Sequence, residues 1–324
     1  MSAPRLDGAL EARHATRSAA ADEKYTSVRL MLRALRNRVA LAASSLLAPD
    51  LARLWAEQLF LSPPRAHLPA EQPREFCGGR PRWLVHRRRR IATWSWGMDK
   101  RPAALLVHGW GGNAVQMGLF VSPLLAEGFR VIAFDQPAHG LSEGTLTGLP
   151  DLADALAEVA RQHGGVRAVI AHSVGSAATA LAVARGMPVA SAVLLSAPAD
   201  MVEYSRRFAR WHWIPESVRS AMQAAIEERF GVRWAELDVV RLAPRLTVRA
   251  LFIHDHHDRI VPWTQGRVFA EHWPGARLLL TEGLGHARIL RDPTIVRAIA
   301  EFVAGRSEVA NVALPSIPRP APIY

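Results

Sequence analysis

Six short apolar runs punctuate the chain from residue 104 onward: "ALLVHG" (104–109), "RVIAFD" (130–135), "RAVIAH" (167–172), "SAVLLS" (191–196), "VRALFIHD" (248–255) and "ARLLLTE" (276–282). They are continuous and rich in Val, Ile and Leu, the pattern of strands buried on both faces of a parallel sheet. Helical stretches such as 151–162 and 176–185 separate them. The alternation predicts an α/β fold with a mostly parallel central sheet and helices on both faces. Ahead of it, "RWLVHRRRRIATWSWG" (82–97) predicts an antiparallel strand pair, with the four arginines at 87–90 divided between two faces of a strand. Residues 197–247 carry no strand pattern. A helix opens there at Pro215, runs through Val218, Met222 and Ile226, and closes at Gly231. Leaving the C-terminal end of a strand, this insertion is expected to form a helical cap over the edge where α/β sheets carry their sites.

Toward the N-terminus the periodicity changes. Residues 1–25 are polar and unpatterned and are expected to be disordered. Residues 26–62 read as a helical extension. Val28, Met31, Leu32, Leu35 and Val39 share one face of a first helix, with Arg29, Arg33 and Arg36 on another. A second helix follows the Pro49-Asp50 cap with a stripe of Leu51, Leu54, Trp55 and Leu59, and Ser62-Pro63-Pro64 ends it. The expectation is that the first apolar face packs on the protein. The second reading is peripheral membrane contact through residues 28–40, at the inner face of the membrane. Residues 63–81 read as a linker, 82–306 as the main domain with its cap, and 307–324 as a Pro-rich tail.

Composition narrows the function classes. The formal charge of +11 invites a nucleic-acid reading. Lys24 and Lys100 are the only lysines, however, and the arginines are spread along the chain without aromatic interleaving, so no nucleic-acid partner is expected. The single cysteine, Cys77, excludes an internal disulfide and a cysteine-based metal site. The N-terminus lacks a signal-peptide core, and the apolar stretch 39–49 is too short to span a bilayer, so a cytoplasmic protein is expected.

Chemistry enters at "AHSVG" (171–175). A serine on a tight strand-to-helix turn is thrust clear of the sheet, and the crowded backbone demands small residues two before and two after it. Ala171 and Gly175 meet that demand around Ser173. Hydroxyl attack needs a base, and the base an orienting carboxylate, in the order Ser, acid, His, each after a strand. "FIHDHHDRIVP" supplies Asp255 and Asp258 as acids, and "LGHARIL" supplies His286. "HGWGGN" (108–113) follows the first parallel strand, and its glycines let backbone approach a ligand. The N–H groups of Trp110 and Val174 are the expected oxyanion hole. Trp110 itself either lines a pocket or fills space behind the loop. "HDHHD" offers metal-ligand residue types, but histidines packed into one short loop point in differing directions, and no metal is expected.

Taken together, "HGWGG" (108–112), "FDQPAHGLSEG" (134–144), "AHSVG", "HDRIVP" (257–262) and "GH" (285–286) resemble the α/β-hydrolase fold family, in its serine-hydrolase branch, over residues 83–305. The resemblance implies Ser173 as nucleophile, His286 as general base and Asp258, in the family's D-x-x-V-P pattern, as orienting acid. It further implies carboxylesterase-type acyl-enzyme chemistry on a small-molecule ester, without a cofactor, and a structural turn at Asp135. Phe208, Trp211 and Trp213 would give the cap an apolar underside and favour an apolar acyl group. Thioester or amide hydrolysis by the same triad is the alternative. A non-catalytic membrane-surface protein is the reading from another class.

Overall fold

The computed structural model describes residues 35–64 and 76–306. The expectations for 1–25, for most of the linker and for 307–324 lie outside the described residues, as do Val28, Met31 and Leu32. Eight strands form one sheet: β1 (Arg82–His86), β2 (Arg89–Trp96), β3 (Ala103–Val107), β4 (Arg130–Phe134), β5 (Ala168–His172), β6 (Ser191–Leu195), β7 (Arg249–Asp255) and β8 (Arg277–Thr281). Their order is β1-β2-β4-β3-β5-β6-β7-β8. Among the described strands only β2 runs against the others, pairing antiparallel with β1 and β4, so the mostly parallel α/β sheet is as expected.

Described helices are α1 (35–47), α2 (Pro49–Leu61), α3 (Val121–Ala126), α4 (Leu149–Gln162), α5 (Val174–Ala184), α6 (Met201–His212), α7 (Glu216–Phe230), α8 (Val239–Leu242), α9 (Trp263–His272), α10 (Gly285–Arg288) and α11 (Pro293–Ala304). Side chains alternate across each strand. Leu106, Ile170, Val193 and Ile253 meet Phe120 of the turn before α3 and Ile299 of α11 in one core layer. On the other face Phe252 stacks on Phe269 of α9, 5.2 Å between centroids, and edges onto Trp273 at 5.6 Å. Strands β3, β5 and β6 are buried throughout, as continuous apolar runs require. The last run, β8, departs from that pattern: it is an edge strand with one buried residue among five.

Two further expectations are corrected. Arg87 and Arg88 do not sit on a strand face. They form the two-residue turn of the β1–β2 hairpin, with φ of 48° and 63°, the left-handed backbone that such turns need. Three of the four arginines meet an acid: Arg87 with Asp154, Arg89 with Asp151 and Arg90 with Glu143. The helical extension is also rotated from its expected facing. Leu35 and Val39 are exposed and Leu41 is buried. In α2, Leu51 and Leu54 are exposed while Ala52 and Ala56 are fully buried. Ala52 and Ala56, four residues apart, share one face of α2, and that face is the buried one.

The chain divides into two compact units, neither of them a single stretch. Among the described residues, one joins 35–57 with Ser205–Gln223; the other holds the described residues between Gln58 and Tyr204 and those from Ala224 to Arg306. In the first, the buried Arg219 guanidinium is held by Glu216, Gln223 Oε1 and Ser205 Oγ. The second contains the sheet.

Candidate active site

At the centre of the sheet, β5 ends at His172 and α5 begins at Val174, so Ser173 alone must reverse the chain. It does so with φ 53° and ψ −124°, a backbone that costs a non-glycine residue about 1–3 kcal/mol. The Ser173 N–H donates to the Leu195 carbonyl at 2.8 Å, anchoring the turn to the next strand. Gly175 presses against the neighbouring strand end: a Cβ there would lie 2.5 Å from the His108 carbonyl oxygen. Ala171, the other small position, is fully buried, and its carbonyl accepts from Ser176 Oγ at 2.9 Å.

Beside the serine stands His286, on the short helix α10 that follows β8. Its Nε2 lies 3.1 Å from Ser173 Oγ, and its Nδ1 lies 2.7 Å from Asp258 Oδ2. Since a carboxylate only accepts, Nδ1 carries the proton and the bare Nε2 faces the hydroxyl. Asp258 has a fully buried side chain. Burial opposes its charge, but hydrogen bonds from His254 and His286 and from the Val261 N–H outweigh that cost and hold the carboxyl well below the usual carboxylate range. The Ile260 and Val261 N–H groups each donate to Oδ1 at 2.9 Å. Asp255 has different work. It accepts from Thr281 Oγ1, the Leu284 N–H and the His257 N–H, and so ties the β7 and β8 loops together.

His172 lies against the His286 ring, 4.7 Å between centroids. Its Nε2–H donates to the His286 carbonyl at 2.9 Å. Burial first, then the nearby His286, pushes its pKa down to about 3. A neutral ring there does not repel positive charge developing on His286.

The loop after β3 is held with similar economy. His108 Nδ1–H donates to the Gly109 carbonyl at 2.7 Å, while its Nε2 accepts from the Gln136 N–H at 3.0 Å. These two bonds fix the tautomer. Burial, reinforced by His139, pushes the His108 pKa down to about 3, so the ring stays neutral. Gly112 N–H also donates to the Gly109 carbonyl. With that carbonyl turned toward His108, the trans peptide aims the Trp110 N–H the opposite way. Asp135 fastens the far end of the loop, accepting from the Ala114 and Leu141 N–H groups at 2.7 Å each.

A cavity of about 190 Å³ opens beside Ser173, lined by Trp110, Gln116, His172, His286, Leu290 and Arg291 among others. Larger hollows of about 530 and 500 Å³ elsewhere contain none of these residues. Chemistry rather than size singles out the smaller one.

Of the residues singled out from the sequence, Ser173, Asp258 and His286 meet in one hydrogen-bonded row, and Trp110 lines the cavity. Phe208, Trp211 and Trp213 belong to the other unit. There Phe208 packs on His212, and the exposed Trp211 and Trp213 flank the Arg38 guanidinium at 4.3 and 5.9 Å. Among the described residues no group of three or more His, Cys, Asp or Glu is placed to hold a metal. Sequence reasoning missed His254, whose Nε2 lies 3.5 Å from Asp258, and the His108–Gln136 pair. Their only sequence signal is a histidine at or just beyond a strand end, which does not show where its ring turns.

Comparison with known proteins gives this geometry a family context. Residues 104–299 match the alpha/beta hydrolase family. A bifunctional esterase/perhydrolase from Acinetobacter calcoaceticus is 27% identical over 240 residues, covering 59% of this chain and 87% of the relative. Among solved structures, an esterase from Rhodococcus sp. ECU1013 aligns over 71% of this chain and 99% of its own, at 21% identity and TM-score 0.53. A membrane phospholipase A aligns over 86% and 99%, at 19% identity and TM-score 0.57. At such identities the solved structures speak for the fold.

Proposed function

The chain belongs to the alpha/beta hydrolase family, and from that premise we propose that it is a serine carboxylesterase with Ser173 as nucleophile, His286 as general base and Asp258 as orienting acid. The observation that carries this reading is the Asp258–His286–Ser173 row, with both contacts at hydrogen-bond distance.

In the proposed reaction, Ser173 Oγ attacks the ester carbonyl as His286 Nε2 takes its proton. Asp258, ionised at neutral pH, stabilises the imidazolium that forms. The Trp110 and Val174 N–H groups hold the oxyanion, a contribution of about 3 kcal/mol per donor. Collapse expels the alcohol, which takes the proton from His286. Water then attacks the acyl-enzyme through the same base and releases the acid, regenerating Ser173. No step calls for a cofactor.

The cavity bears on the substrate. The cavity is small, about 190 Å³. Leu290 and the Trp110 ring make part of its wall apolar. The proposed substrate is therefore an ester with a short apolar acyl group. Labelling with a fluorophosphonate, wild type against Ser173→Ala, tests the reading. Covalent labelling lost in the variant, with p-nitrophenyl acetate and butyrate turned over faster than palmitate, is expected. Labelling that survives Ser173→Ala removes the nucleophile assignment.

A further inference from the structure

One unit of the molecule shows solvent what proteins ordinarily bury. Sixteen large hydrophobic side chains are exposed among the described residues. Half of them sit in the unit formed by residues 35–57 and Ser205–Gln223, which holds about a sixth of those residues. Leu46 and Leu47, where α1 meets α2, are 83% and 86% exposed. At 100° per residue, Leu35, Val39 and Leu46 fall within about 40° of one another on α1, well away from the buried Leu41. Leu51 and Leu54 continue the apolar surface on α2.

The same unit carries a positive surplus. The described residues of the unit hold Arg36, Arg38, Arg53, Arg206, Arg207, Arg210 and Arg219 against Asp50, Glu57 and Glu216, a formal excess of four positive charges. Arg38 lies over the rings of Trp211 and Trp213, which places cation and indole in one patch. Exposed leucines, interfacial tryptophans and surplus arginine form the combination that lies in the headgroup layer of an anionic membrane. No helix of the described residues is long and apolar enough to cross a bilayer, so insertion would be shallow.

We propose that α1, the start of α2 and the Trp211–Trp213 segment form a docking surface for an anionic lipid bilayer. A second copy of the chain is a poorer occupant. In a two-fold dimer the same patch meets itself and brings like charges together, whereas acidic headgroups neutralise them.

The test is co-sedimentation of the full-length protein with vesicles of phosphatidylcholine alone and of phosphatidylcholine mixed with phosphatidylglycerol. Binding to the mixed vesicles, weakening as salt rises and at least tenfold stronger than to the neutral ones, is expected. Leu46→Glu with Leu47→Glu removes two solvent-facing side chains from the surface and should cut partitioning at least tenfold, while hydrolysis of a soluble ester and the circular dichroism spectrum stay unchanged. The proposal is overturned if the wild type binds neither vesicle, or binds both equally. It is equally overturned if the double variant binds as well as wild type, or converts a dimer to a monomer without any vesicle binding at the start.

Discussion

Replacing Asp258 with asparagine isolates the role of one carboxylate, because the structure dictates how the amide must sit. Oδ1 of Asp258 accepts from two backbone N–H groups, and Oδ2 receives the His286 Nδ1–H. The asparagine carbonyl must stay on the two N–H groups, since an NH2 cannot accept from them. That turns the NH2 onto His286 Nδ1. Two donors cannot share the gap, so the ring moves its proton to Nε2 and faces Ser173 as a donor instead of a base. The imidazolium formed during attack also loses its counter-charge. Together these changes cost about 10⁴ in kcat, about 5.5 kcal/mol at 1.36 kcal/mol per tenfold. The backbone bonds survive, so stability should change by no more than the about 1–3 kcal/mol of one charge-assisted bond. The assay is kcat and KM on p-nitrophenyl acetate beside urea unfolding, with Asp255→Asn as the companion. Asp255 bonds Thr281 and Leu284 rather than His286, so its variant should lose stability and far less rate. An Asp258→Asn enzyme within about tenfold of wild type in kcat, or an Asp255→Asn enzyme the more damaged in rate, refutes the reasoning.

Two other changes probe the frame that holds the row. Gly175→Ala puts a methyl 2.5 Å from the His108 carbonyl oxygen and 3.0 Å from Val107 Cγ1; the forced shift should lower stability by about 1–3 kcal/mol and move the loop carrying Trp110, so calorimetry and ester turnover should fall together. A stable, fully active variant would mean that the elbow is less tightly packed than these contacts require. Burial raises the Asp135 carboxyl to about 6 from an ordinary 3.8, against the opposing Leu141 and Ala114 N–H bonds. A group raised in the folded state stabilises below its unfolded pKa, and that contribution is lost as pH rises through about 6. Between pH 3.8 and 6 the loss approaches about 3 kcal/mol. The stability of wild type minus that of Asp135→Asn, from urea curves at pH 4.5 and 7.5, should therefore shrink as pH rises; a difference independent of pH contradicts the assignment.

What the sequence determined by itself was local and periodic. Continuous apolar runs announced strands β3 to β7, because a strand buried on both faces has no polar positions to alternate. Ala171-His172-Ser173-Val174-Gly175 announced the elbow, because only small residues fit where the chain reverses so sharply, and Gly175 does lie against the His108 carbonyl. The order of serine, acid and histidine, each shortly after a strand, put all three residues at the same end of the sheet. What only the tertiary structure decided was direction and neighbourhood. Asp255 and Asp258 share a loop and a chemistry, and the difference between them is where each carboxylate turns: one to Thr281 and Leu284, the other to His286. The tautomer of His108 depends on Gln136, 28 residues away. Apolar periodicity said that α1 and α2 each have an apolar face; it could not say which face meets the protein, and the alanines rather than the leucines of α2 were buried. Periodicity is written in neighbours a few residues apart. Which surfaces meet depends on elements that arrive from distant parts of the chain, and their shapes are absent from any short window of sequence.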